Sequence, residues 1–214
     1  MNTWKDQNVP LAFTDRWREN YSRGNFNRDK IRRAAWEVGL VGGSALYVGG
    51  NENQGYLAQD YAQDFEAAPD LGIRNKFFLE RIADFNGLEP QDEVLVSGDQ
   101  AILSASVGRE YVVYDANGGK IEIDLSGVNG TLNAEWFNPR TGEVKNLSPV
   151  NGNGRVSFTA PDNKDWVLHL TNNNLACGGL FVAGSLGEQS AEFSTVNANQ
   201  LAFKIFVPII SECG

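Results

Sequence analysis

Tyr111-Val-Val-Tyr-Asp-Ala-Asn-Gly-Gly119, Ala134-Glu-Trp-Phe-Asn-Pro-Arg-Thr-Gly142 and Pro161-Asp-Asn-Lys-Asp-Trp-Val-Leu-His-Leu170 are three phrases from one stretch of short apolar runs broken by turns. From Asp92 onward the apolar period is two, which sends successive side chains to opposite faces of a strand. Strands are predicted at Glu93–Val96, Ala101–Ala105, Glu110–Tyr114, Lys120–Asp124, Thr131–Phe137, Val144–Leu147, Arg155–Thr159 and Trp166–Leu170. Ala-Asn-Gly-Gly at 116–119, Asn-Pro-Arg-Thr-Gly at 138–142 and Asn-Gly-Asn-Gly at 151–154 supply turns between them. Many short strands at this spacing predict a β-sandwich. Trp136 and Trp166 are expected in its core, and His169, flanked by Leu168 and Leu170, is expected to be structural.

Upstream the pattern changes. Val9–Thr14 is a short apolar run with the character of a buried parallel strand, and a polar loop is expected from Asp15 to Arg28. Asp29 is the expected N-cap of a helix carrying Ile31, Ala34, Ala35 and Val38, which Gly42-Gly43 ends. A second strand follows at Ser44–Val48. Strand, helix and strand in this order predict a βαβ unit with parallel strands. Tyr56–Phe65 and Lys76–Phe85 are expected to be helical, the latter through Phe77, Leu79, Ile82 and Ala83, with a break at Gly87-Leu88-Glu89-Pro90.

The chain's 214 residues suffice for one large domain or two small ones, and a hydrophobic fraction of 42% suffices for a core. A net charge of -9, with no basic cluster beyond Lys30, Arg32 and Arg33, argues against nucleic acid and against an anionic membrane surface. Five Trp, six Tyr and twelve Phe among many Asn and Gly suit a neutral, hydroxyl-rich ligand, although most of these rings are expected in the core. Cys177 and Cys213 would close a loop worth about 3 to 4 kcal/mol if they pair, and without a nearby His they make no zinc site. Asp115, Asn117, Glu122 and Asp124 lack EF-hand spacing, no phosphate loop or dinucleotide fingerprint occurs, and no metal or cofactor is expected. The first residues show no charged segment followed by an apolar one, and no apolar run reaches membrane-spanning length. Leu201–Ile210 is either a strand at the sandwich edge or an export or attachment signal.

Tyr111, Tyr114, Gly118, Trp136, Phe137, Pro139, Arg140, Gly142, Pro161, Asp165, Trp166, Val167 and Leu168 together form a pattern. It resembles the C-terminal domain, labelled collagen-binding, that lies behind the barrel of apiosidase-like glycoside hydrolases. Ile31-Arg32-Arg33-Ala34-Ala35-Trp36, Gly42-Gly43 and Tyr47-Val48-Gly49-Gly50 are similar to helix 7 and strand 8 of that family's (β/α)8 barrel. The resemblance runs from Val9 to Leu170. It implies an α/β barrel remnant of two strand-helix units in residues 1–90, an all-β sandwich in 91–171 and a C-terminal extension in 172–214. A full barrel needs eight strands and about 250 residues, so the other six strands would lie upstream of Met1 or have been lost.

Barrel enzymes carry their catalytic groups at the C-terminal ends of strands. The resemblance implies a Glu at the end of strand 7; Asp15 is the positional match, and Glu19, four residues on, is the alternative. Arg16, Trp17, Arg18, Asn20 and Tyr21, with Asn51, Glu52 and Asn53 after the second strand, would line a sugar subsite. Glycoside hydrolysis needs two carboxylates, and the second would come from a strand outside this sequence. Two functions follow. One is the C-terminal portion of a glycoside hydrolase acting on polysaccharides, inactive alone; the other is a non-catalytic carbohydrate- or matrix-binding module. A third possibility is an incomplete frame prone to self-association. The resemblance implies an extracellular or cell-surface setting.

Overall fold

The computed structural model describes residues 12–19, 27–49 and 66–172, with only the backbone described in strands 12–19 and 44–49. The chain divides into two compact units, residues 1–179 and 180–214, and the described residues all belong to the first. The expected helix at Tyr56–Phe65, the two cysteines and the expected strand at Leu201–Ile210 lie outside them.

The βαβ expectation is met in outline. Strands β1 (Ala12–Glu19) and β2 (Ser44–Gly49) pair in parallel, with helix α1 (Arg28–Leu40) between them. Two boundaries differ from the sequence pattern. β1 runs on through Asp15 to Glu19, residues assigned above to a loop. The N-cap of α1 is Asn27, whose side chain accepts the Lys30 amide at 3.0 Å. Asp29 falls in the first turn, where it pairs with Arg32 at 2.8 Å. The Gly42-Gly43 stop is as expected: Gly42 takes φ +74°, and the amides of Gly43 and Gly42 return to the carbonyls of Val38 and Gly39.

Helix α2 spans Ala68–Glu80, earlier than the predicted Lys76–Phe85. Pro69 suits its first turn, because the missing N–H would have no partner there anyway. The chain leaves the helix after Glu80 because the Asp84 carboxylate caps a 3-10 turn at Phe85–Gly87. The apolar spacing that suggested a longer helix is not one buried face: Phe77 is buried, whereas Leu79 is 67% exposed.

Ten strands follow, β3 (Glu89–Pro90), β4 (Leu95–Ser97), β5 (Ala101–Ser106), β6 (Glu110–Asp115), β7 (Lys120–Asp124), β8 (Thr131–Phe137), β9 (Val144–Asn146), β10 (Val150–Asn151), β11 (Arg155–Thr159) and β12 (Trp166–Asn172). They form a seven-stranded sheet in the order β10-β8-β12-β6-β5-β3, with β9 also on β8, and a three-stranded sheet, β11-β7-β4. This is a β-sandwich. The two-residue strands β3 and β10 were not anticipated.

The inner core holds Leu103, Tyr111, Val113, Ile121, Ile123, Trp136, Phe158, Trp166 and Leu168. On the outer face of the large sheet, Val112, Tyr114, Phe137 and Val167 pack under Trp36 and Leu40 of α1 and Phe77 of α2. Trp36 stacks on Tyr114 at 5.9 Å, and Phe77 meets Phe137 at 4.8 Å. β6 is therefore buried at every position, while β8 alternates. A sheet covered on both faces produces continuous apolar runs such as Tyr-Val-Val-Tyr, and a half-covered strand reads Thr-Leu-Asn-Ala-Glu-Trp.

Trp136 and Trp166 meet edge to face at 6.5 Å, each about 1% exposed, as expected of core residues. Trp166→Ala is expected to cost about 3 to 5 kcal/mol in chemical denaturation; a loss near zero would contradict the burial.

Candidate functional site

The first group of interest lies along β1 and β2. Asp15, Arg16, Trp17 and Arg18 lie in β1, with Glu19 at its end. The pairing is irregular there: Phe13 sits opposite Ala45 and Trp17 opposite Tyr47, so β1 carries extra residues around Asp15. Such bulges bend a strand and re-aim its residues. Glu19 is registered against Gly49, and parallel pairing puts the C-terminal ends of both strands side by side. Asn20, Tyr21, Asn51, Glu52 and Asn53 lie outside the described residues.

A second group is a buried ionic hub where α1, α2 and the start of β12 meet. Arg32 directs Nε to Asp165 Oδ2 at 2.8 Å, Nη2 to Asp165 Oδ1 at 3.2 Å and Nη1 to Asp70 Oδ2 at 3.0 Å. Arg28 forks onto Asp70 at 2.9 and 2.7 Å, Tyr114 donates its hydroxyl to Asp165 at 3.1 Å, and Arg140 lies 3.5 Å from Asp165. Arg32, Asp70 and Asp165 are at most 4% exposed. Burial disfavours the Arg32 cation, yet its bonds to Asp165 and Asp70 outweigh that and raise its pKa. Burial, then the Asp165 charge, raises the Tyr114 hydroxyl's pKa, so it remains a donor. With Arg32, Asp70 and Asp165 buried and paired with one another, this hub braces the fold.

The third group is a charged ladder on the outer sheet face. His169 places Nδ1 3.0 Å from Glu135 and Nε2 2.8 Å from Glu110. Arg81, just past α2, donates Nε to Glu135 Oε1 at 3.0 Å and Nη2 to the same oxygen at 2.6 Å. Glu110 also accepts the Ala83 and Asp84 amides at 3.1 and 2.9 Å, tying the chain after α2 to the sheet. Only an imidazolium can donate to both carboxylates at once. Burial pushes the His169 pKa down, but the two glutamates overcome this and raise it. Burial likewise pushes Glu135 up, while His169 and Arg81 hold it down at about 2.

Glu80, Arg81, Asn133, Glu135, Asn146, His169 and Thr171 contribute to the lining of a groove of about 490 Å³ beside this ladder. Among the described residues, no group of three or more His, Cys, Asp or Glu side chains is arranged to hold a metal ion. Asp115 and Asp124 instead accept local amides, from Asn117 at 3.0 Å and Ser126 at 2.9 Å. His169 has no nucleophile as a hydrogen-bond partner; both ring nitrogens are taken by glutamates, consistent with a structural histidine. Sequence reasoning did not single out Arg81, Glu110, Glu135 or Asp70. The available signal was an acid inside an apolar strand, as in Ala134-Glu-Trp-Phe, where a charge must find a partner once buried.

Residues 90–171 match the family model described as "Putative collagen-binding domain of a collagenase". The fold is similar to a structure titled "Glycoside hydrolase", at 17% identity and a TM-score of 0.58, covering 70% of this chain and 38% of that one. It is also similar to a glycoside hydrolase family 5 protein from Bacteroides vulgatus ATCC 8482, at 20% identity and a TM-score of 0.58, covering 70% and 37%. The chain spans little more than a third of the length of either structure. No curated protein matches the chain. The fold of this chain is thus shared with part of two structures titled as glycoside hydrolases.

Arg32→Ala would remove the buried cation shared by Asp165 and Asp70, leaving Asp70 with Arg28 and Asp165 with Tyr114 and Arg140, at an expected cost of about 3 kcal/mol; an unchanged denaturation midpoint would rule out the bracing role. The raised His169 pKa contributes stability that is complete below the unfolded imidazole value of about 6.5 and is lost as pH rises through the folded value. The depressed Glu135 pKa contributes stability present above about 4.5 and lost as pH falls toward 2. Urea midpoints should therefore decline as pH rises above about 6.5, and His169→Gln should flatten that decline. Equal alkaline slopes in the two proteins would dismiss the ladder's role.

Proposed function

We propose that this chain is the C-terminal portion of a glycoside hydrolase acting on polysaccharides, of the apiosidase-like kind. In this reading β1, α1 and β2 belong to the last two strand-helix units of a (β/α)8 barrel, and the sandwich follows as an accessory domain. The observation that carries it is the parallel β1-α1-β2 unit, whose helix is packed and ion-paired onto the sandwich. The family match stops short of this unit, at residues 90–171, whereas the structural likeness covers 70% of the chain and so extends beyond the sandwich.

Asp15, midway along β1, or Glu19, at its C-terminal end, is proposed as one catalytic carboxylate, with Arg16, Trp17, Tyr21, Asn51 and Glu52 forming a sugar subsite. The irregular pairing around Asp15 supports this placement, because bulges are frequent beside active sites. A partner carboxylate must come from another strand, so residues 1–214 alone are proposed to be inactive. An extracellular or cell-surface setting is proposed with this reading, as the resemblance to that family implies. A second reading, a non-catalytic carbohydrate- or matrix-binding module, is favoured by the family match being confined to the sandwich.

The test is to read the source DNA upstream of the Met1 codon in frame and express the extended product beside residues 1–214. Six further strand-helix units, and release of reducing sugar from polysaccharide by the extended product alone, are expected. Asp15→Asn or Glu19→Gln should lower its kcat by about 10²- to 10⁴-fold. If neither does, the carboxylate assignment fails. If no barrel-encoding frame precedes Met1, the hydrolase reading gives way to the binding module.

A further inference from the structure

The outer face of the large sheet is divided in two. Its middle, including Phe137 of β8 and Val144 of β9, is apolar and lies under α1 and α2, while the part carried by Asn133 and Glu135 of β8, Asn146 of β9 and Thr171 of β12 is polar. Strand pairing sets Thr171 opposite Asn133, His169 opposite Glu135, and Asn146 also opposite Glu135. Polar side chains from three neighbouring strands, spaced about 4.8 Å apart, therefore share one face. With Glu80 and Arg81 at the end of α2 they line the 490 Å³ groove.

A polar outer face alone indicates nothing, since antiparallel sheets commonly turn one face to water. This groove differs in having a floor of buried charge. His169 and Glu110 are almost fully buried, whereas the Arg81 and Glu135 side chains remain 35% and 14% exposed. The ladder fixes Arg81 and Glu135 before any ligand arrives, which lowers the ordering cost of binding. Within the ladder two cations, Arg81 and His169, balance two anions, Glu110 and Glu135, and the exposed Glu80 at the groove's side is paired with Lys76 at 3.8 Å, so the groove offers little net Coulomb attraction to a charged ligand. The exposed amides of Asn133 and Asn146 and the hydroxyl of Thr171 can both donate and accept. Fixed donors and acceptors with no net charge suit a neutral ligand dense in hydroxyls.

We propose that this groove is a glycan-binding site of the sandwich, taking a neutral saccharide whose adjacent hydroxyls pair with Arg81, Glu135 and the amides of Asn133 and Asn146. The proposal rests on the reading that the chain serves a polysaccharide-directed protein. Among the described residues the groove lining contains no Trp, Tyr or Phe, so affinity is expected to come from hydrogen bonds and to be modest, with a Kd on the order of 1 mM. A collagen-like triple helix suits the groove less well: it is a continuous rod, and the end of α2 walls one side.

His169 is the single histidine of the chain, so its ring proton resonance reports on the groove floor without ambiguity. The full 214-residue chain is titrated separately with cellobiose, xylobiose and galactobiose up to about 50 mM, and with a triple-helical Gly-Pro-Hyp peptide. At least one disaccharide is expected to shift the resonance saturably. The N133A/N146A variant, altered only at exposed positions, should weaken that binding at least about 10-fold while leaving the remaining spectrum folded. The proposal is overturned if no disaccharide moves His169, if the midpoint is the same in the variant, or if only the triple-helical peptide binds. Hydrolysis by the extended product involves neither asparagine, so failure here leaves the test of the hydrolase reading independent.

Discussion

Arg32 is the residue on which the arrangement turns. It sits on the helix between β1 and β2, forks onto Asp165 at the entry to β12 and reaches Asp70 in the first turn of α2. Burying such charges costs several kcal/mol per ion, and attraction repays this only when the geometry is good and the remaining donors are satisfied. Here Arg28, Arg32 and Arg140 face Asp29, Asp70 and Asp165, and Tyr114 adds a hydroxyl. An apolar contact between helix and sheet tolerates rotation of the helix about its axis. A planar guanidinium fork does not, so the hub fixes the rotation of α1 against the sandwich and constrains the strands on either side of that helix.

Apolar contact supplies the attraction that the hub orients. Trp36 lies flat on Tyr114, and Phe77 wedges between Trp36 and Phe137 with its edge toward His169. Each large ring removes much apolar area from water, which suits the apolar runs at 111–114 of β6 and 166–168 of β12. His169 follows that run in β12, and the sheet accommodates it by placing a glutamate at each ring nitrogen. The Ser104 hydroxyl performs a similar service at the end of α1, donating to the Leu40 carbonyl that the finished helix leaves free.

Much of the sandwich was legible because its signals are local. Lys120–Asp124, Thr131–Phe137 and Arg155–Thr159 stand where alternation and flanking turns put them. The errors fall where local pattern and tertiary context diverge. Asp29 resembles a cap, but Asn27 is the residue whose side chain reaches the Lys30 amide, leaving Asp29 to pair with Arg32. Leu79 has the spacing of a buried helix position, yet the apolar contacts of α2 run through Phe77 and Phe78. β3 and β10 are two-residue bridges created by pairing, with no periodicity to detect. The ionic groups were hardest to foresee. Arg32 and Asp165 are separated by 133 positions, and nothing in either neighbourhood records the partner.

The hub and the ladder are both networks of paired charges but differ in access. Arg32, Asp70 and Asp165 are sealed, so their charges can act only on the fold. In the ladder, His169 and Glu110 are sealed while Arg81 and Glu135 keep one side open to the groove. A closed ion pair has already spent its directional capacity on its partners, whereas a half-open one retains acceptor and donor positions held in fixed orientation. That difference separates the two groups functionally, although both carry strongly shifted ionisations: the hub holds α1 in place, and the ladder presents an ordered polar surface.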